Sequence, residues 1–135
     1  MRVNRIDHIN LRTPLLDETI GFYVGLLNLR RGEAVSMDQA RNAWLYDEEN
    51  RPIIHINMPN EGDPEYLGTD SGRLHHIAFD CAGYDEQVER LAELGYDYSV
   101  NVIAQIGLRQ IFLPDPNGVS IELNFRPESE GGGNR

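Results

Sequence analysis

Arg5-Ile6-Asp7-His8-Ile9 and, 68 residues further on, Arg73-Leu74-His75-His76-Ile77 decide how this chain is read. The same offset carries Asp17-Glu18 onto Asp85-Glu86, each pair at the start of a helical pattern. Late in each half, Ile54-His55-Ile56-Asn57 matches Ile121-Glu122-Leu123-Asn124 at an offset of 67. A repeat of this kind predicts two half-domains of one plan. They span residues 1–60 and 73–126, joined by a Gly-rich acidic linker at 61–72, with a frayed tail at 127–135 that contains Gly131-Gly132-Gly133.

Within each half the pattern reads as one strand, one helix and three strands, an α+β plan of two βαβββ modules. Residues 3–11 alternate as a strand. Leu16, Ile20, Tyr23 and Leu27 recur at helical spacing, with Asp17 and Glu18 favouring the helix start. The second half repeats this with a strand at 76–81 and a helix at 84–94 whose Val88, Leu91 and Leu94 form the apolar stripe and which Gly95 ends. The remaining strands are expected at 32–37, 40–46 and 52–58, then 96–103, 108–113 and 119–125, the last two joined through Asn117-Gly118, a strong hairpin signal.

Side chains alternate along a strand, so parity separates two faces. Ile9, Ile54, Ile56, Ile77, Phe79, Ile121 and Leu123 fall on the face turned to the helices. His8, His55, His76 and Glu122 fall on the other, one on the first and one on the last strand of each half. The repeat sets His8 against His76 and His55 against Glu122, and a curved mixed sheet would gather all four around a cup. Imidazoles with a carboxylate suit a divalent metal ion, Fe, Mn, Ni, Co or Zn. Arg109 and Trp44 stand on central strands from which they could line the cup, Arg109 holding an anionic substrate group, while a solvated Arg and a core Trp are the ordinary reading. Phe22 and Tyr23 read as helix packing, and His75, which shares parity with Ile77, as structural.

The charge balance narrows the partners. The 135 residues carry a formal net charge of −10, which disfavours nucleic acid and anionic membrane. All 12 basic residues are Arg, so lysine Schiff-base and phosphate-loop lysine chemistry are excluded. Cys81 is the only cysteine and ends a strand, where it reads as a small core residue; no intrachain disulfide can form. The amino-terminal residues lack a signal-peptide pattern, and the expected location is the cytoplasm.

These residues resemble the vicinal oxygen chelate superfamily of glyoxalases, extradiol dioxygenases and bleomycin resistance proteins. The likeness covers residues 3–125 and rests on 6–11, Thr19-Ile20-Gly21-Phe22-Tyr23, residues 74–79 and above all Asp115-Pro116-Asn117-Gly118-Val119-Ser120-Ile121-Glu122-Leu123. It implies a glyoxalase/dioxygenase-like fold, His8, His76 and Glu122 as metal ligands, a small substrate presenting two adjacent oxygens, and a homodimer. His55 divides the family. As a fourth ligand it would leave two of six positions for substrate oxygens and a lyase or isomerase reaction. As an acid/base group beside three ligands it would suit extradiol ring cleavage. The extradiol pattern, however, has a tyrosine where Phe112 stands and a further histidine that this chain lacks. His55 and Glu122 are the candidate catalytic residues. The rival class is a metal-free small-molecule binding protein of the bleomycin-resistance kind.

Overall fold

The order of elements follows the repeat in a computed structural model that describes residues 1–34, 37–63 and 72–130. The first half holds β1 (Ile9–Arg12), α1 (Leu16–Gly25), β2 (Arg30–Gly32), β3 (Asn42–Tyr46) and β4 (Pro52–Asn57). The second holds β5 (His76–Cys81), α2 (Tyr84–Leu94), β6 (Ser99–Ile103), a 3-10 turn (Ala104–Ile106), β7 (Leu108–Pro114), β8 (Ser120–Phe125) and a short α3 (Pro127–Glu130). Two units result, Met1–Gly68 and Thr69–Arg135.

Each unit builds its own four-stranded mixed sheet, with orders β1-β4-β3-β2 and β5-β8-β7-β6. The first and last strands of each unit are parallel neighbours and the other pairings are antiparallel. A parallel pair needs a crossover, and the helix supplies it in both units. Ile54↔Ile9 and Ile121↔Ile77 are equivalent pairs, so the repeat extends to the register. The first unit's core sets Leu16, Phe22, Tyr23 and Leu26 against Ala43, Leu45, Ile54 and Ile56, all buried. Fully burying an isoleucine contributes roughly 1.5–3 kcal/mol, so Ile54 and Ile56 anchor β4 and fix which parity faces away from α1.

Several boundaries differ from the sequence expectation. β1 starts at Ile9, where its ladder with β4 begins at Ile54. His8 therefore precedes the strand. β2 lies at 30–32, ahead of the expected 32–37, where Arg30 covers the Tyr46 ring at 4.8 Å. Gly32 is required there, since a Cβ would run into that ring. Val35 and Ser36 lie outside the described residues. β6 begins at Ser99 because Gly95, at φ 73°, turns the chain out of α2 and Tyr96 N–H returns to Leu91 O. The tail is docked up to Glu130, whose carboxylate accepts hydrogen bonds from Gly83 N and Tyr84 N at 2.7 and 3.1 Å. Those are free donors at the start of α2, so a carboxylate from α3 caps it.

Candidate metal centre

In the first unit the face opposite α1 carries an aromatic group with a histidine on either flank. Trp44 lies across from His55 in the β3–β4 register. Their rings stack at 4.6 Å and 7°, and the His8 ring meets the same indole edge-on at 4.8 Å. Trp44 is half-buried on this polar face, a correction to its reading as a core residue. His8 Nδ1 donates to Asp7 Oδ2 at 2.6 Å, so Nε2 is the ring nitrogen that this bond does not use. A histidine whose second nitrogen donates to a carboxylate is the usual form of a metal-binding imidazole.

His55 is held differently. Its Nε2 donates to Asn42 Oδ1 at 3.0 Å, and Asn42 Nδ2 donates in turn to Asp38 O at 3.1 Å. That second bond orients the amide, so the proton sits on Nε2 and the lone pair on Nδ1. Burial holds the His55 pKa below the ordinary histidine value, with the nearby His8 and Arg12 acting in the same direction. Arg12, on the same parity, is engaged by Asp63 at 3.0 Å.

In the second unit His76 Nε2 stands 3.3 Å from Glu122 Oε2. Bonds of about 2.1 Å place neighbouring ligand atoms of an octahedral ion about 3 Å apart, so this spacing fits two adjacent ligands. The Nδ1 atoms of His75 and His76 are 2.9 Å apart, a distance at which one donates to the other. His75 thus occupies the place that Asp7 takes beside His8, and the residue before each histidine holds its Nδ1. Glu122 Oε1 accepts from Gln110 Nε2 at 2.8 Å. Phe112 lies directly across from Glu122 in the β7–β8 register and brings no hydroxyl to it.

Two of the four candidates lie in each unit, and among the described residues no group of three or more His, Cys, Asp or Glu side chains stands ready to hold a metal ion. Taken by type, the imidazole pair of the first unit and the imidazole with a carboxylate of the second are donors of the kind that divalent transition ions accept. Arg109 is on the opposite parity, covering the Tyr84 ring at 4.1 Å and pairing with Asp85 and Glu130, so it has no part in the polar face. Cys81 is mostly buried, and burial, followed by the charge of Asp80, pushes its thiol up to about 12, which makes it a poor nucleophile.

The residues missed by sequence reasoning are Asn42, Gln110 and Asn101. A signal for two of them was present: Asn42 and Gln110 are 68 residues apart, the offset of the repeat, and each precedes an aromatic by two positions.

The fold, two units each with a four-stranded mixed sheet crossed by a helix, is that of the vicinal oxygen chelate class of proteins. The family model described as Glyoxalase/Bleomycin resistance protein/Dioxygenase superfamily matches residues 5–123, and the chain belongs to that superfamily. It is 26% identical over 131 residues to the protein named glyoxylase I 4 of Arabidopsis thaliana, covering 91% of this chain and 71% of that one. Among solved structures it resembles a glyoxalase/dioxygenase from Nostoc punctiforme, with a TM-score of 0.72 at 19% identity and 92% of each chain covered. It also resembles lactoylglutathione lyase from Agrobacterium tumefaciens, with a TM-score of 0.66 at 16% identity, covering 93% of this chain and 96% of that one. No described helix is long and apolar enough to cross a membrane.

Proposed function

We propose that the chain is a divalent-metal-dependent enzyme of the glyoxalase-like lyase or isomerase kind, acting on a small substrate with two adjacent oxygens. His8, His55, His76 and Glu122 serve as its ligands for Fe, Mn, Ni, Co or Zn. The observation that carries the reading is the 3.3 Å approach of His76 Nε2 to the half-buried Glu122 Oε2, the spacing that two adjacent ligands of one ion would have. A bound divalent ion supplies Lewis-acid polarisation of the two substrate oxygens.

The protein residues divide the remaining work. His8 and His76 present Nε2, each fixed by the residue before it. Trp44 walls the polar face of the first unit and keeps the His55 ring flat against it. His55 offers Nδ1, since Asn42 occupies Nε2, and burial, which disfavours the protonated ring, keeps that nitrogen's lone pair free for a metal. Phe112 across from Glu122 supports lyase or isomerase chemistry over ring cleavage, because no phenolic proton donor stands there.

One observation favours a second reading. The Asn42 bond to His55 is what an acid/base histidine outside the ligand set would make, and a three-ligand site would then serve a dioxygenase-like reaction. We take the protein as a cytoplasmic homodimer with no nucleic-acid or membrane partner; a monomer by light scattering at micromolar concentration would count against the dimer. The functional test loads the protein with each ion and offers thiol adducts of α-oxoaldehydes and, separately, catechols in an oxygen-electrode cell. Isomerisation without oxygen uptake is expected. Oxygen consumption with catechols would move the assignment to the dioxygenase reading, and tight substrate binding with no turnover and no metal uptake would leave a binding protein.

A further inference from the structure

The two missed carboxamides occupy equivalent places. Asn42 lies across from Asn57 with Trp44 across from His55, and Gln110 lies across from Asn124 with Phe112 across from Glu122. Each amide reaches the ligand candidate on the neighbouring strand, and each shows it the polarity it needs. Asn42 turns its oxygen to the His55 N–H. Gln110 turns its NH₂ group to Glu122 Oε1 at 2.8 Å and Asn124 Oδ1 at 2.9 Å.

An ionised carboxylate can only accept, so Glu122 forces the orientation of the Gln110 amide. Gln110 Oε1 is thereby left as an acceptor and takes Asn101 Nδ2 at 2.8 Å, extending the chain of bonds to β6. Gln110 is buried at 9% exposure, where a lost partner is expensive, so the network has one arrangement. The consequence falls on Glu122. Its Oε1 is tied down and only Oε2 faces His76 Nε2.

We infer that Gln110, held by Asn101, is a positioning residue that keeps Glu122 a one-oxygen ligand. This rests on the proposed metal role of Glu122. A carboxylate with both oxygens free can rotate and bind through both, taking a coordination position that a two-oxygen substrate needs. The amide prevents that rotation by holding Oε1 from the side of β7.

The test is a double-mutant cycle on the full chain after chelator treatment, titrated with Co²⁺ alone and read by calorimetry and visible absorption. Gln110→Met keeps the length and removes the donor. It is expected to weaken Co²⁺ binding roughly 10- to 100-fold, the usual size for a group that orients a ligand, and to change the cobalt spectrum. In the Glu122→Ala background the same substitution should alter affinity less than 2-fold. Equal losses in both backgrounds, or under 2-fold in the wild-type background, would overturn the inference. If Gln110→Met fails to fold, Asn101→Ala leaves Gln110 in place and should weaken binding ~3- to 10-fold, with no change overturning the inference. No Co²⁺ uptake by the wild type would remove the metal reading and the positioning role together, whereas normal uptake with an indifferent Gln110→Met removes the positioning role alone.

Discussion

Replacing His55 by Ala removes two contacts that can be counted: the stack on Trp44 at 4.6 Å and the Nε2 bond to Asn42 at 3.0 Å. An aromatic pair contributes ~0.5–1.5 kcal/mol and a net hydrogen bond about as much, so the metal-free variant should lose ~1–3 kcal/mol. At ~2.1 cal/mol/K per residue, each kcal/mol lowers Tm by about 3.5 °C if the 135 residues melt together. The expected drop at pH 7.5 is therefore ~4–10 °C, and about twice that if the first unit melts alone.

The pH dependence has a definite sign. The folded His55 pKa lies below its ordinary value of 6.5, so as pH falls the unfolded chain takes up that proton first. Wild type then loses stability below pH 6.5, down through the folded pKa, and His55→Ala does not share that loss. The Tm gap between them should narrow from pH 7.5 to pH 5.0, measured by circular dichroism on chelator-treated protein. A gap under 1 °C at pH 7.5 would refute the stabilising role of the contacts, and a gap that widens on acidification would refute the neutral ring.

Cys81, with a thiol raised to about 12, should react with a disulfide reagent at pH 8 on the order of 100-fold more slowly than free cysteine; an equal rate would contradict its burial. Asp115→Ala should cost ~2–3 kcal/mol by calorimetry, because its carboxylate accepts from Asn117 N and Val119 N at 2.8 and 2.9 Å in the β7–β8 hairpin. Glu130→Ala should lower stability by ~1–2 kcal/mol through loss of the α2 cap, and a variant as stable as wild type would mean that α3 only rests on the surface.

Much of the fold was legible because the apolar residues obey parity. Ile54 and Ile56, alternating with His55, both gave β4 and sent His55 to the polar face, and β5 and α2 fall where the pattern put them. What pattern could not show was which polar residue serves which partner. Arg30-Arg31 hid β2, because the strand is held by an arginine on Tyr46 rather than by apolar alternation. Arg109 is set by parity with Ile111 against Tyr84 and Glu130, contacts that need the docked tail. His75 read as structural from its parity, yet its ring swings to His76 at the open start of β5. Asn42 and Gln110 were invisible as single amides and stand out only when the repeat is laid onto the register.

The central claim is that these four side chains bind a metal ion, and metal uptake tests it most directly. Chelator-treated protein would be dialysed against Fe²⁺, Mn²⁺, Co²⁺, Ni²⁺ or Zn²⁺, freed of excess ion and analysed by plasma emission, beside the double variant His76→Ala/Glu122→Ala. The account predicts close to one equivalent of at least one ion in the wild type and a large loss in the variant. Less than a tenth of an equivalent of every ion in the wild type, or full uptake by the variant, would contradict it.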